Sequence, residues 1–295
     1  MPRSLSPVRA RATARALPRH DLFAAVDDTL EVRHHGADFR LVRGDCLAVL
    51  AALPAQSVDL IFADPPYMLS NGDTTCQSGR RVSVDKGKWD ASLGLGDDHA
   101  WNMRWLAACQ RVLKPSGTIW VTGTQHIIFS VGFAMQSLGF HMLNTITWFK
   151  PNASPNLACR FFTHSTEIMI WAAPTKTRPL GHTFHYQDMK RDNGGRQMRD
   201  LWEMPEPDGA QVVWSIPTPP RRERAHGRHP TQKPLRLLER VIRAGSNEGD
   251  VVLDPFSGSG TTGLAALTFR RRFLGIDTST EYLDMAAQRF TKRDA

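Results

Sequence analysis

The run "VVLDPFSGSGTTGLAALTF", Val251 to Phe269, constrains the fold of this chain through both its pattern and its place. A short apolar run ends in Asp-Pro, a turn rich in Gly and Ser follows, and a helix-forming stretch begins at the threonines. Such a turn lets the backbone approach a ligand closely and turns exposed N–H groups toward it. It lacks the Gly-Lys-Ser/Thr of a phosphate-gripping P-loop. The next strand-like run, "RRFLGID", ends in Asp277, about 20 residues past the turn, where an acid can accept both hydroxyls of a ribose. A helix cap or turn residue would explain Asp277 alone; turn and acid together point to a nucleoside-containing cofactor.

Only about 30 residues follow the turn, enough for a helix, a strand and one further helix. Parallel strands need crossover connections, so the other strands of the sheet must come from earlier in the chain. The expected fold is α/β: a mostly parallel sheet with one antiparallel edge strand, helices on both faces, and its nucleotide-binding half at the C-terminus. That permuted order is hard to reconcile with an ordinary nicotinamide-dependent dehydrogenase.

"SVDLIFADPPYMLSNG", Ser57 to Gly72, supplies another strand of this sheet. The apolar part is too short for a lone helix. Proline cannot donate to a ladder and fixes φ at about −65°, so the strand ends there. Asp64 is left at the carboxyl end of a buried strand, where open α/β sheets gather ligand-binding groups. "FRLVRGDCLAVLAAL" reads as strand, turn and helix. "DDHAWNMRWLAACQRVLKPSG" reads as an amphipathic helix ended by Pro115 and Gly117. "TIWVTGT", "HMLNTITWFK" and "STEIMIWAA" read as strands, with a helix from about Ile127 to Leu138 between the first two. "HPTQKPLRLLERVIRAGS" returns to helix with Thr231 as N-cap and Pro234 in the first turn, and a last helix spans Thr280 to Phe290. Trp101, Trp105, Trp148 and Trp171 are read as core. Ser70 to Asp98, polar and Gly-rich, reads as a mobile surface loop.

Composition narrows the class. Hydrophobic residues at 41% and charged residues at 22% are those of a soluble globular protein, and no apolar run approaches a membrane span of about 20 residues. Cys46, Cys76, Cys109 and Cys159 lie far apart without a C-x-x-C, which argues against a zinc site or disulfide framework and for a reducing compartment. A net charge of +8 suggests an acidic partner such as nucleic acid. Part of that excess sits in the first 20 residues, which carry Arg and Pro and no acid. This stretch lacks the apolar core of a secretory signal and reads as a disordered basic arm or, in a eukaryote, a transit peptide. From Pro174 to Pro230 the chain becomes rich in Arg, His, Pro, Gly and Gln with little periodicity, the mark of a functional or disordered stretch.

"DPPYMLSNGDTTCQSG", "WFKPNASPN", "HPTQKP" and "DPFSGSGTTG", in this order, resemble the S-adenosylmethionine-dependent DNA amino-methyltransferases. With the catalytic motif before the cofactor motif, the order is similar to the β-class, and the set looks most like the MboII-type adenine-N6 enzymes of restriction-modification systems. The resemblance runs from about Phe39 to Phe290. It implies a Rossmann-like methyltransferase sheet in which residues 26–173 form the catalytic half, 174–228 an irregular target-recognition insertion and 229–295 the cofactor-binding half, with 1–25 as the arm. It implies catalysis by Asp64, Pro65, Pro66 and Tyr67. Asp64 and the Pro65 carbonyl would accept the hydrogens of an exocyclic amine, freeing its lone pair for attack, while Tyr67 stacks on a flipped base. No metal or covalent enzyme intermediate is required. The cofactor S-adenosylmethionine would meet Asp45, Cys46, Asp64, Lys233, Phe256, Ser257, Gly258, Ser259, Gly260, Thr261 and Asp277, with Asp277 on the ribose, Asp45 on the adenine amino group and Lys233 near the methionine carboxylate.

The partner so implied is double-stranded DNA. Its contacts are expected from Trp89, in a loop closing over the flipped base, and from Arg191, Arg196, Arg199, Arg221, Arg222, Arg224 and Arg228. A homodimer and a companion restriction endonuclease acting on the same site are partners such enzymes can have, and the expected location is the cytoplasm. In the family, Asp before Pro-Pro-Tyr leans toward adenine and Ser toward cytosine-N4. Asn there goes with RNA or protein-glutamine methylation. The rival readings are an N4-cytosine enzyme of the same geometry, a catalytically silent DNA-binding relative, and a nicotinamide-dependent oxidoreductase.

Overall fold

A computed structural model describes residues 21–70, 74–77, 80–83, 90–150, 153, 155–156, 159–176, 181–202 and 232–291. The first part of the chain forms α1 (Leu22–Thr29), β1 (Val32–His35), β2 (Phe39–Arg43), α2 (Cys46–Ala52) and β3 (Val58–Ala63). Next come the hairpin of β4 (Thr74–Gln77) and β5 (Arg80–Ser83), α3 (Leu95–Val112), β6 (Leu113–Gly123), α4 (Ile128–Ser137), β7 (His141–Phe149) and β8 (Thr166–Ala173). The rest comprises α5 (Tyr186–Asp192), β9 (Leu201–Trp202), α6 (Leu235–Gly245), β10 (Val251–Asp254), α7 (Thr261–Thr268), β11 (Arg272–Asp277) and α8 (Thr280–Thr291).

Nine strands make one sheet in the order β1-β2-β11-β10-β3-β6-β8-β7-β9. From β2 to β6 every pairing is parallel, so strands from both ends of the chain interleave as the permuted order requires. The antiparallel members differ from the single edge strand expected. β8 runs antiparallel inside the sheet between β6 and β7, and β1 pairs antiparallel with β2 at the edge. β7 and β8 follow one another in the chain, 16 residues apart, and pair antiparallel over their length, which turns β8 against β6 as well.

Helices cover both faces, and alternation along β3 shows how. Ile61 and Ala63 pack into the layer of α2, α3 and α4, whereas Leu60 and Phe62 point into the layer of α6, α7 and α8. A strand buried on both sides must read as a continuous apolar run, which is why "VDLIFA" shows no polar alternation beyond Asp59. At about 25 cal/mol per Å² of apolar surface, burying each of Leu60, Ile61 and Phe62 contributes roughly 1.5–3 kcal/mol.

Several boundaries shift. The helix expected to run to Pro115 stops at Val112, and Leu113 to Gly117 open β6, since proline in a helix interior clashes with the preceding turn. Pro234 is the N-cap of α6 rather than a first-turn residue, and Thr231 lies outside the described residues. The arm expected to end at residue 25 gives way at Leu22 to α1, whose Leu22, Phe23 and Val26 are core. Ser70 to Asp98 contains the β4–β5 hairpin and a buried Asp90. Within 174–228, α5 and β9 pack Met189 and Trp202 into the core beneath α6.

Candidate active site

β3 and β10 are neighbours, but their connections leave in opposite directions: β3 leads through α3 to β6, and β10 through α7 to β11. At such a switch point the carboxyl ends of the strands open a crevice. The crevice here is a cleft of about 530 Å³. Asp64, Pro66 and Met68 line it from the end of β3, Pro255, Phe256 and Gly258 from the end of β10, and Ile276, Asp277, Ser279 and Tyr282 from β11 and α8. Asp45 and Cys46 enter from the start of α2, and Trp101 and Arg104 from α3.

At the β11 side, acids are held by the backbone. Asp45 caps α2, its Oδ1 accepting the N–H groups of Leu47 and Ala48 at 3.0 and 3.2 Å. Asp277 accepts the N–H of Gly258 at 2.8 Å and that of Ser279 at 2.8 Å. Burial raises the Asp277 pKa, and these N–H bonds offset part of the rise. Below them Asp254, 3% exposed, accepts the Phe256 N–H at 3.0 Å and the Thr262 hydroxyl at 2.5 Å. Burial pushes its pKa up to about 7. Burial, and then the nearby Asp45, push the Cys46 thiol up to about 12, so it stays a neutral thiol. Gly260 opens α7 with a φ of 71°, and a Cβ there would lie 2.6 Å from that of Ala286. Left-handed backbone and close packing both require glycine at that position.

At the β3 side, the acid is held by side chains from distant elements. Asp64 Oδ1 accepts the Thr122 hydroxyl at 2.7 Å and lies 2.8 Å from the Tyr67 hydroxyl. Asp64 Oδ2 accepts from Lys233 Nζ at 2.6 Å. A second carboxylate, Glu167 of β8, places Oε1 2.5 Å from the Tyr67 hydroxyl and 3.2 Å from Lys233 Nζ, and its Oε2 pairs with Lys150. Burial opposes charge on both Glu167 and Lys233, but their mutual pairing and the Lys150 and Asp64 partners win. Glu167 is held well below the usual carboxylate range and Lys233 above the usual lysine one. Burial, with Asp64 and Glu167 nearby, pushes the Tyr67 phenol well above its ordinary value, so it is a neutral donor.

Asp90 fixes the turn that carries these groups. Fully buried, it accepts the N–H groups of Tyr67, Met68 and Leu69 at 2.7, 3.0 and 3.3 Å and the Ser70 hydroxyl at 3.0 Å. Met68 has a φ of 57°, a conformation that costs a non-glycine residue roughly 1 kcal/mol and persists only where the surroundings impose it.

The structure brings Asp45, Cys46, Asp64, Phe256, Gly258 and Asp277 to one cleft, with Pro65 and Pro66 beside them. Lys233, expected near the methionine carboxylate, meets Asp64 and Glu167 beside the cleft. Ser257, Ser259, Gly260 and Thr261 pack behind the wall, where buried Arg289 grips the Ser259 carbonyl and the Thr261 hydroxyl at 2.6 and 2.9 Å. Tyr67 is 7% exposed, with Lys233 Nζ 5.2 Å from its ring centre, so in this state its ring is packed rather than turned to open space. Trp101, expected in the core, instead walls the cleft 5.8 Å from the Phe256 ring, while Trp105, Trp148 and Trp171 are core. Arg191, Arg196 and Arg199 are exposed around and after α5, and Arg191 pairs with Asp188. Trp89, Arg221, Arg222, Arg224 and Arg228 lie outside the described residues. Asp90, Thr122, Lys150, Glu167, Trp101 and Tyr282 were not expected at the site. Only the apolar run around Glu167, with its lone acid inside "STEIMIWAA", carried a signal: a charge in a buried strand needs a partner.

A family profile described as DNA methylase, for N6 and N4 methyltransferases, matches residues 58–288. The chain is 46% identical over 252 residues to the type II methyltransferase M2.LlaDCHI of Lactococcus lactis subsp. cremoris, covering 85% of this chain and 89% of that one. Among solved structures, PvuII DNA methyltransferase (cytosine-N4-specific) is similar at a TM-score of 0.66 and 18% identity, covering 89% of each chain. The M1.HpyAVI–SAM complex is similar at 0.56 and 24%, covering 85% of this chain and 98% of that one. Fold, permuted order and these matches agree: the chain belongs to the N6/N4 DNA methyltransferase family, enzymes whose methyl donor is S-adenosylmethionine.

Proposed function

We propose that this protein is a site-specific methyltransferase of a restriction-modification system that methylates the exocyclic N6 of an adenine flipped out of duplex DNA. The observation that carries the reading is the placement of Asp64 and the Gly-rich turn on adjacent strands of one cleft, with Asp277 two strand spacings, about 10 Å, from Asp64. The cleft fits the cofactor chemically. Two carboxylates, Asp45 and Asp277, suit an amino group and a ribose, and Phe256, Ile276 and Trp101 form apolar walls for a flat base. S-adenosylmethionine supplies an electrophilic methyl group on a sulfonium.

The residues of the chain do the rest. An adenine amino group is a poor nucleophile because its lone pair is delocalised into the ring. Acceptors aimed at its hydrogens favour a pyramidal nitrogen whose lone pair can attack. Asp64 is one acceptor and the Pro65 carbonyl the other, and the Asp90 clamp on residues 67–70 holds both in place. Stacking of the base on Tyr67 replaces packing that now buries the ring. Asp rather than Ser before Pro-Pro-Tyr favours adenine. The cytosine-N4 reading keeps a foothold in the fold shared with the PvuII enzyme. On this reading the protein works in the cytoplasm beside an endonuclease that cuts the same site. Expression in a host free of DNA methylation, followed by methylation-sensitive sequencing, tests it: N6-methyladenine at one short site is expected. N4-methylcytosine, or unmodified DNA from an expressed and folded protein, would overturn it.

A further inference from the structure

The knot around Tyr67 holds two carboxylates where the transfer needs one. Resting on the reading of Asp64 as acceptor for the amino hydrogens, we propose that Glu167 is a positioning residue for Asp64. It competes for the Tyr67 hydroxyl proton and the Lys233 ammonium, and takes both over when the target amino group reaches Asp64.

A count of donors and acceptors supports this. Tyr67 has one hydroxyl proton and two carboxylate oxygens close enough to receive it, Asp64 Oδ1 at 2.8 Å and Glu167 Oε1 at 2.5 Å, with the Thr122 hydroxyl farther off at 3.4 Å. Lys233 spans the same two acids at 2.6 and 3.2 Å. Thr122 adds a third donor to Asp64, so both Asp64 oxygens are engaged before any substrate arrives. Every donor that Asp64 retains competes with an amino hydrogen for the same lone pairs. The two acids reach the shared donors together, so a shift of the proton and ammonium toward Glu167 releases Asp64 without repacking the core. A second buried carboxylate is costly unless paired and hydrogen-bonded. Here Lys150, 23% exposed at the rim, pairs with Glu167 Oε2 and holds the acid facing Tyr67. Two acids and two lysines balance, so the donors can shift while the net charge of the knot stays constant.

Glu167→Gln removes the competing charge and leaves the shape. Single-turnover transfer of labelled methyl to duplex DNA should slow on the order of 100-fold, while equilibrium binding of S-adenosylmethionine stays within about threefold. In a Tyr67→Phe background, where the diverted proton is gone, the same replacement should cost at least tenfold less than in the wild type. If Glu167 served stability alone, the two changes would multiply independently. Should Glu167→Gln fail to fold, Lys150→Gln at the rim provides the test: it loosens Glu167 and should slow transfer about tenfold with donor binding kept. A wild-type rate in the folded variant, or independent effects in the double variant, would overturn the proposal. Absence of transfer by the wild-type protein would instead overturn the underlying function.

Discussion

The two sides of the cleft hold their acids in opposite ways. Near β11, Asp45 and Asp277 are satisfied by backbone N–H groups, most of them two or three residues away and the most distant at Gly258, 19 positions off. Near β3, Asp64 and Tyr67 are satisfied by Thr122, Glu167 and Lys233, which lie 58, 100 and 169 positions along the chain from the groups they meet. Backbone-held acids sit on a frame that the fold fixes and suit a ligand bound the same way in every cycle. Side chain-held acids sit in a network whose protons can be reassigned, which suits a step where hydrogen bonds must change hands.

Four substitutions test that contrast, from the largest expected effect to the smallest. Asp64→Ala should lower the single-turnover transfer rate at least 1,000-fold, about 4 kcal/mol, with donor affinity within about threefold in a binding titration. A comparable loss of donor affinity would erase the distinction between the two sides. Asp90→Ala strands three backbone N–H groups that it now holds in the dark of the core. It should cost roughly 2–4 kcal/mol in denaturant unfolding and slow transfer about 100-fold, because the turn bearing Asp64 and Tyr67 loses its clamp.

Asp254 offers a test by pH. Its folded pKa of about 7 lies above the unfolded value of 3.8, so the folded state favours the protonated acid. Stability from this group is therefore fully present below about pH 4 and is lost as pH rises through about 7. Asp254→Asn should flatten the stability profile between pH 5 and 8 by on the order of 2 kcal/mol, read from chemical unfolding at each pH. An unchanged slope would show that Asp254 is not the group carrying it. Asp277→Ala should weaken donor binding about tenfold while the rate at saturating donor changes less than threefold. An unchanged affinity would remove Asp277 from the cofactor site.

The same contrast explains what could be read from the sequence. The Gly-rich turn, Asp45 and Asp277 were legible because their partners lie close by in sequence and the turn declares itself through glycine. Asp64 was legible because two prolines end its strand. The permuted sheet followed from counting the residues left after the turn. Glu167, Thr122 and Asp90 were not legible, since their roles exist only once β3, β6 and β8 lie side by side, and nothing local marks them. Lys233 was visible as a functional lysine, but its contacts with Asp64 and Glu167 were not, because its position in the sequence does not say which acids it will face. The internal antiparallel strand was missed for a similar reason: β8 is as apolar as its parallel neighbours, and direction is set by the connection rather than by composition.

The central claim is that this cleft methylates an exocyclic adenine amine. Purified protein incubated with duplex DNA and methyl-labelled S-adenosylmethionine, followed by digestion to nucleosides and chromatography, tests it most directly. The account predicts label in N6-methyldeoxyadenosine. Label in N4-methyldeoxycytidine, or DNA that stays unlabelled by protein shown to bind the donor, would contradict it.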